Sequence, residues 1–293
     1  MTRRVAFLAC ETTLPGMPNR RSDAYEFDRQ FGALGDAFEV RGTLLVPLDW
    51  MASPSAFAEF DAVVIGTPWN YQDDEQRFLA QLRTLEGTGL PVFNSAALVE
   101  WNLRKTYLRE LEARGTRTIP TRWVEVATAA HVEALMATHE GVVLKRQVGA
   151  GALGQRIFRR GEPLPDGPLL DRPAMLQPFM PSIQTEGEVS FIFIDGAFSH
   201  AILKTARKGD YRIQSMFGGR EQAVTPAEED VAAARAVLDD VPFALPVYAR
   251  IDMVRDAEGR LCLMEAEMIE PYLYPREGRG MAAMYAEAVL RRI

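Results

Sequence analysis

The chain begins with a short apolar run at residues 5–10, too brief for a targeting segment and suited to a buried strand. A polar loop containing Pro and Gly follows over 11–21. Ala24, Phe27, Phe31, Leu34 and Phe38 then recur at spacings of 3, 4, 3 and 4, which predicts an amphipathic helix. Runs at 43–48, 62–66 and 90–93 predict further strands, with a loop at Thr67-Pro68-Trp69-Asn70-Tyr71 and a helix over 73–85. Strand–helix alternation up to about residue 95 predicts a parallel, doubly wound sheet. Loops at the carboxyl ends of its strands would line a ligand crevice.

The pattern then changes. One helix is predicted over 96–113, strands at 121–126 and 142–145 flank a helix at 129–138, and residues 160–173 read as loop. Beyond Gln177 the character is antiparallel. A strand at 189–194 enters Asp195-Gly196, a type I′ hairpin signal, and returns over 198–203. A second hairpin pairs 247–255 with 260–268. Between them a helix over 226–238 is predicted, with Thr225 as cap and Glu228 completing a capping box. The expected fold is therefore α/β: an N-terminal parallel sheet, then two α+β lobes.

Composition narrows the partners. With 293 residues, 47% hydrophobic and 25% charged, the chain is an ordinary globular protein of about two domains. A net charge of −7 argues against nucleic acid as a partner. No run approaches the ~18 apolar residues of a membrane span, so a cytoplasmic protein is expected. Cys10 and Cys262 read as buried free thiols. His131, His139 and His200 show no metal-ligand spacing, and the first two read as surface residues.

The second hairpin carries the strongest chemistry. Side chains alternate faces along a strand, so Arg250, Asp252 and Val254 share one face. On the returning strand Leu261, Leu263, Glu265 and Glu267 share a face. With Arg255 opposite Arg260, Asp252 falls opposite Leu263 and Arg250 opposite Glu265. Three carboxylates and an arginine then converge. Crowded, desolvated carboxylates repel one another, and Mg²⁺ with its hard oxygen ligands relieves that. A solvated face with a simple salt bridge accounts for the same residues.

Lys105 lies beside the apolar stripe of its predicted helix, where a lysine often snorkels to water. Lys145 ends the buried run Val142-Val143-Leu144 and leads into Gly149-Ala150-Gly151-Ala152-Leu153-Gly154. Such a loop either wraps phosphate oxygens with its N–H groups or simply turns. It is no Walker A loop, because the lysine precedes the glycines, and it lacks the acidic residue of a dinucleotide fingerprint. Met175-Leu176-Gln177-Pro178-Phe179-Met180, broken by proline, is either a linker or a hinge whose free backbone groups read an adenine edge. Lys204, Arg207, Lys208 and Arg212 form a local basic set, suited to polyphosphate or to a solvated loop.

Taken in order, these segments resemble the ATP-grasp superfamily, in its glutathione-synthetase-like and D-alanine–D-alanine-ligase-like form, over nearly the whole chain. The resemblance implies a pre-ATP-grasp domain at 1–95, a linker helix and lid lobe at 96–178, and a catalytic lobe at 179–293. Arg250-Ile251-Asp252 and Leu263-Met264-Glu265-Ala266-Glu267 look like the family's Arg-x-Asp and Glu-x-Asn pair. By that likeness Asp252, Glu265 and Glu267 bind Mg²⁺, although Glu267 stands where asparagine is usual. Arg250, with Lys204 and Arg212, would steady the transferred phosphate. Lys105 and Lys145 look like the nucleotide lysines, and Gly149, Gly151 and Gly154 like the phosphate-covering loop. Gln177, Pro178, Phe179 and Met180 resemble the adenine hinge, and Glu188 the ribose-binding acid. Ser190 replaces an arginine that glutathione synthetase uses toward its substrate, which counts against that substrate. The segments 67–71 and 270–274 are similar to the cycloserine-synthetase-like branch, which closes the ring of O-ureido-D-serine with ATP. Trp69, Tyr71, Ser190, Glu270 and Tyr272 are the substrate-side candidates, with Arg212 beside them.

The resemblance thus implies ATP and Mg²⁺ as cofactors and a small amino-acid-like substrate, with a homodimer as the candidate assembly. A substrate carboxylate would attack the γ-phosphate, and a nitrogen would then attack the acyl phosphate. Two alternatives stand beside this. A non-catalytic nucleotide-binding regulator would keep the lysines and hinge but lose the carboxylates. Phosphoryl transfer to a hydroxyl would use the same groups. A dehydrogenase would need a glycine fingerprint after residues 5–10, and Glu11-Thr12-Thr13-Leu14-Pro15-Gly16 does not supply one.

Overall fold

The computed structural model describes residues 2–149, 154–206 and 218–293. Gly151 and Arg212, together with Arg207 and Lys208, lie outside the described residues.

Strands β1 (Arg3–Ala9), β2 (Thr43–Asp49), β3 (Ala62–Thr67) and β4 (Val92–Phe93) form a parallel sheet in the order β2-β1-β3-β4. Helix α1 (Tyr25–Glu39) covers one face, where Phe27, Leu34 and Phe38 meet Val5, Phe7 and Val64. Helix α2 (Glu75–Gly87) covers the other, where Phe78, Leu82 and Leu85 meet Ala6, Leu8, Val63 and Ile65. Burial on both faces is why these strands read as continuous apolar runs.

The helix expected over 96–113 is in fact two, α3 (Ala96–Leu103) and α4 (Tyr107–Arg114). Arg104 between them is extended, at φ −103° and ψ 120°. The Lys105 N–H leaves the helical ladder and donates to the Gln147 carbonyl at 2.8 Å. Lys105 therefore sits in a break, not on a helix face.

Strands β5 (Arg122–Val124), β6 (Gly141–Arg146), β7 (Arg156–Arg159) and β8 (Ala174–Pro178) form an antiparallel sheet ordered β5-β8-β6-β7. It is backed by α5 (Ala129–Met136). His131 closes a capping box with Thr128 at the start of α5, a structural role beyond that of a surface residue. The segment read as a free hinge is an inner strand, β8, paired on both sides. Phe179 also donates its N–H to the Gly141 carbonyl at 2.8 Å, so the proline closes the strand without freeing it.

After the short helix α6 (Ser182–Thr185) comes an antiparallel sheet. Its strands are β9 (Glu188–Ile194), β10 (Ala197–Thr205), β11 (Arg220–Val224), β12 (Tyr248–Arg255) and β13 (Leu261–Glu267), ordered β11-β10-β9-β12-β13. Asp195 and Gly196 have φ of 51° and 72°, as a type I′ turn requires. Helix α7 (Glu228–Asp239) begins beyond the expected cap: Ala227 is its N-cap, without a side-chain bond. Pro226 disfavours helix at Thr225, and Glu228, Glu229 and Asp230 complement the helix dipole instead. Helix α8 (Met281–Leu290), left unread in the sequence, buries Met281, Tyr285 and Val289 against α1 and the parallel sheet.

The second hairpin departs from its expected register. Arg255 pairs with Leu261, not Arg260; Asp252 pairs with Glu265 and Arg250 with Glu267. Met253 pairs with Leu263, so Met264 is the extra residue of a β-bulge. The bulge breaks the alternation. Leu261 and Leu263 join Ile251 and Met253 in a hydrophobic core, while Glu265 and Glu267 face the other way with Asp252 and Arg250.

Cys10 and Cys262 are free and buried. Among the described residues no helix is long and apolar enough to cross a membrane.

Candidate active site

The site lies on one face of the β9–β13 sheet. Along β9, Glu188, Ser190, Ile192 and Ile194 point the same way. Ile192 and Ile194 are covered by the core shared with the N-terminal sheet. Ser190 and Glu188 continue past it. The ladders then line up polar groups in rows: Ser190 beside Asp252 and Asp252 beside Glu265; Arg250 beside Glu267; Glu188 beside Lys204. The opposite face carries Phe191, Phe193, Ala201, Ile251 and Met253 and is hydrocarbon.

Seven charged groups meet here, five in one network and Lys105 with Glu265 as a pair beside it. Lys204 Nζ lies 2.9 Å from Glu188 Oε1 and 3.4 Å from Asp252 Oδ2. Ser190 donates to Asp252 Oδ1 at 2.5 Å. The Arg250 guanidinium donates to Asp252 at 3.1 Å, to the Tyr272 carbonyl at 3.2 Å, and to Glu267. Lys105 Nζ lies 2.6 Å from Glu265 Oε1 and donates to the Gly149 carbonyl at 2.8 Å.

Burial and pairing pull on these groups in opposite directions. Burial raises the Asp252 pKa, but Arg250 and Lys204 outweigh it and hold the carboxylate below its ordinary range. For Glu188 burial wins over Lys204, with Asp252 adding repulsion, and the group titrates above its ordinary range. Burial also pushes Glu267 up, to about 8, against the pull of Arg250 and with help from Glu265 and Asp252. Burial depresses the Lys145 ammonium on β6, and neighbouring Lys105 adds to that while Glu265 opposes it. The Arg146 guanidinium packs so closely against Gly154 that a Cβ there would lie 2.6 Å from its Nε. Lys145 and Gly149 are thus both tied to Glu265, the first through its charge and the second through Lys105.

Gln177 is buried in β8 and donates to the Thr121 hydroxyl at 2.9 Å, while Pro178 ends that strand and Met180 follows Phe179. These residues are remote in sequence from the charged face but belong to the same lobe as Lys145.

The substrate-side candidates gather where the parallel sheet meets the charged face. Trp69 donates its indole N–H to the Glu270 carbonyl at 3.1 Å, and Arg21 stacks over its ring at 5.0 Å. Tyr71 is buried, and its hydroxyl lowers the pKa of the Glu270 carboxyl. Tyr272 packs edge-on against Tyr274, with ring centroids 4.7 Å apart. Tyr274, absent from the sequence candidates, has φ of 49°, donates to Glu221 at 3.2 Å and sits near Lys204. Two more residues were missed. Glu26, at the start of α1, is raised to about 7 by burial and by Glu221 and Asp23. Gln30 is a buried polar residue on the apolar side of α1, a signal that the sequence did contain.

Among the described residues no group of three acids or metal-binding side chains stands ready as a cation cage. Asp252, Glu265 and Glu267 are each drawn onto a cationic side chain instead. Their chemistry still fits a hard divalent ion: all are carboxylates, on adjacent strands, and Glu267 is held protonated by mutual repulsion and burial to above neutral pH.

Residues 5–94 match the family described as D-cycloserine synthetase DcsG, N-terminal domain. The cycloserine biosynthesis protein DcsG of Streptomyces lavendulae is 29% identical, over 91% of this chain and 94% of that protein. The crystal structure of D-cycloserine synthetase DcsG matches with a TM-score of 0.83 at 27% identity, covering 99% of both chains. The ATP-grasp ligase PsnB, in a complex with a precursor variant, Mg and ADP, matches in fold with a TM-score of 0.67 at 14% identity, over 100% of this chain and 99% of that one. The fold is therefore that of the ATP-grasp ligases. Its N-terminal sheet and its two antiparallel sheets are matched together, so Trp69 and Tyr71 belong to the same matched unit as the charged face.

Proposed function

We propose that this ATP-grasp protein is an ATP-dependent carboxylate–amine ligase or cyclase that works through an acyl phosphate on a small amino-acid-like substrate, with cycloserine-type ring closure as the favoured case. One observation carries the reading: Asp252, Glu265 and Glu267 share a sheet face with Arg250 and Lys204, and Lys105 and Lys145 close over it from the adjoining lobe. The similarity to DcsG over nearly its full length supports the substrate class.

In this reading Asp252, Glu265 and Glu267 would hold Mg²⁺. A divalent ion there supplies charge neutralisation for the polyphosphate. Lys105, Lys145 and the loop bearing Gly149, Gly151 and Gly154 bind the phosphates. Gln177, Pro178, Phe179 and Met180 border the base, and Glu188 the ribose. Lys105, which pairs with Glu265, would instead hold phosphate oxygens of a bound nucleotide. Arg250, backed by Lys204 and Arg212, stabilises charge on the phosphoryl group in flight. Trp69, Tyr71, Ser190, Glu270 and Tyr272 form the substrate side. The enzyme would act in the cytoplasm, and a homodimer is its candidate assembly.

The test is phosphate release from Mg·ATP across a panel of amino acids that includes O-ureido-D-serine, with and without added amines. Release should require a carboxylate and should proceed with O-ureido-D-serine alone. Release indifferent to any carboxylate, or a phosphate ester as the final product, would overturn the reading.

A further inference from the structure

Residues 268–280 follow β13 without regular secondary structure, yet the segment is held tightly. The Tyr248 hydroxyl lies 2.7 Å from the Ile269 carbonyl, and the Trp69 indole donates to the Glu270 carbonyl at 3.1 Å. Gln30 donates to the Pro271 carbonyl at 3.4 Å and accepts from the Leu273 N–H at 2.7 Å. Arg250 donates to the Tyr272 carbonyl at 3.2 Å. Side chains from the parallel sheet, α1 and β12 thus replace a missing ladder, residue by residue. Such bonding fixes the one carboxyl in the middle, Glu270, with little freedom left to lose on reaction.

Glu270 also differs from the other carboxylates. Glu188, Asp252, Glu265 and Glu267 each sit on a cation. Among the described residues Glu270 makes no ion pair; the group that most favours its charged form is the neutral hydroxyl of Tyr71, in the turn after β3. The charged groups near it are Lys105 in the helix break, Glu265 on β13 and Arg250 on β12, and Tyr248 lies close by. It stands between the charged face, where a carboxylate would be activated, and the crevice of the parallel sheet.

We infer that Glu270 is the proton acceptor for the attacking nitrogen, positioned by Tyr71; this rests on the ligase reading above. The nitrogen lone pair forms the C–N bond at the acyl carbon. The C–O bond to phosphate breaks, and phosphate departs with that electron pair. The proton lost from nitrogen passes to the Glu270 carboxylate and then to solvent. A carboxylate locked to a lysine or arginine is a poor acceptor, because protonation would strand the cation. One influenced chiefly by a neutral phenol and free of an ion pair accepts a proton at small cost, and burial has already raised Glu270 toward neutral pH, to about 7.

The experiment separates the two half-reactions in the full-length enzyme, with Mg·ATP and O-ureido-D-serine as the probe. Hydroxylamine traps the activated carboxyl as a hydroxamate, and the ring product is measured in its absence. Glu270→Gln should lose ring closure by about thirtyfold or more beyond any loss of hydroxamate formation. Tyr71→Phe should fold normally and move the acidic limb of ring closure to higher pH, because Tyr71 lowers the Glu270 pKa, while leaving the limb for hydroxamate formation in place. Ring closure within threefold of the parent in Glu270→Gln, or equal loss of both steps in both variants, would overturn the assignment. A parent enzyme that gives no hydroxamate with any carboxylate would instead remove the ligase reading beneath it.

Discussion

The two faces of the β9–β13 sheet are built by the same strands and share the same backbone bonds, yet they do opposite work. One side is hydrocarbon, from Phe191 and Phe193 through Ile251 to Leu263. The other holds Glu188, Lys204, Arg250, Asp252 and Glu267 within one connected network, with Glu265 beside it on Lys105. Desolvating charge is costly, and a buried pair often does no better than an apolar substitute of equal size. The hydrocarbon face therefore stabilises the lobe, and the charged face spends part of that stability on chemistry. The lesson is that stability and turnover should fail separately when the two faces are changed one at a time.

The largest effect is expected on the charged face. Asp252→Asn or Glu265→Gln should lower ATP-dependent phosphate release by at least about a hundredfold, with an unchanged far-ultraviolet circular dichroism spectrum. Release within tenfold of the parent in either variant would remove the metal assignment. Next comes the hydrocarbon face. Leu263→Ala should lower unfolding free energy by about 2–5 kcal/mol in urea titrations, while turnover per folded molecule stays within about twofold. Ser190→Ala tests a neutral member of the charged face: it leaves the buried Asp252 one donor short, which should cost about 1–3 kcal/mol of unfolding free energy in the same titrations.

The smallest effect is a pH slope. Glu267 binds a proton more tightly when folded, since its pKa rises from 4.5 to about 8. The folded state then carries the proton that the unfolded state has lost, so stability falls as pH rises through that window. Relative to Glu267→Gln, the parent should lose stability between about pH 5 and pH 8, read from urea midpoints at each pH. A constant difference across the range would mean that the repulsion at Glu267 is absent.

The parallel sheet and its helices were legible because their signals are local. Burial on both faces makes β1 apolar from Val5 and β3 apolar from Ala62 to Ile65, and α1 repeats its aromatic residues at helical spacing. The turn at Asp195-Gly196 was legible because few residue pairs accept positive φ. The helix break at Arg104 was not, because it depends on Lys105 reaching Gln147 on a distant strand. Nor was the bulge at Met264, which nothing in Leu263-Met264-Glu265 announces; pairing with Asp252 and Met253 defines it. For the site, the ionisable residues could be named from the sequence, but their partners could not. Lys105 meets Glu265 across 160 positions, and Ser190 meets Asp252 across 62. Gln30 stood in plain view as a polar residue on an apolar helix face, and its meaning came only with the irregular segment that it holds.

The bulge gives β13 something like a reading frame. Deleting the single codon for Met264 would remove no charge and no catalytic group. With pairing retained on both sides, Leu263 would become the direct neighbour of Glu265, and plain alternation would keep Leu261 and Leu263 in the core and Glu265 and Glu267 on the charged face. A three-nucleotide deletion at this point therefore preserves the phase of the strand. Pairing the intact strand without its bulge would break that phase, carrying Leu261 and Leu263 round to the side of Glu265 and Glu267.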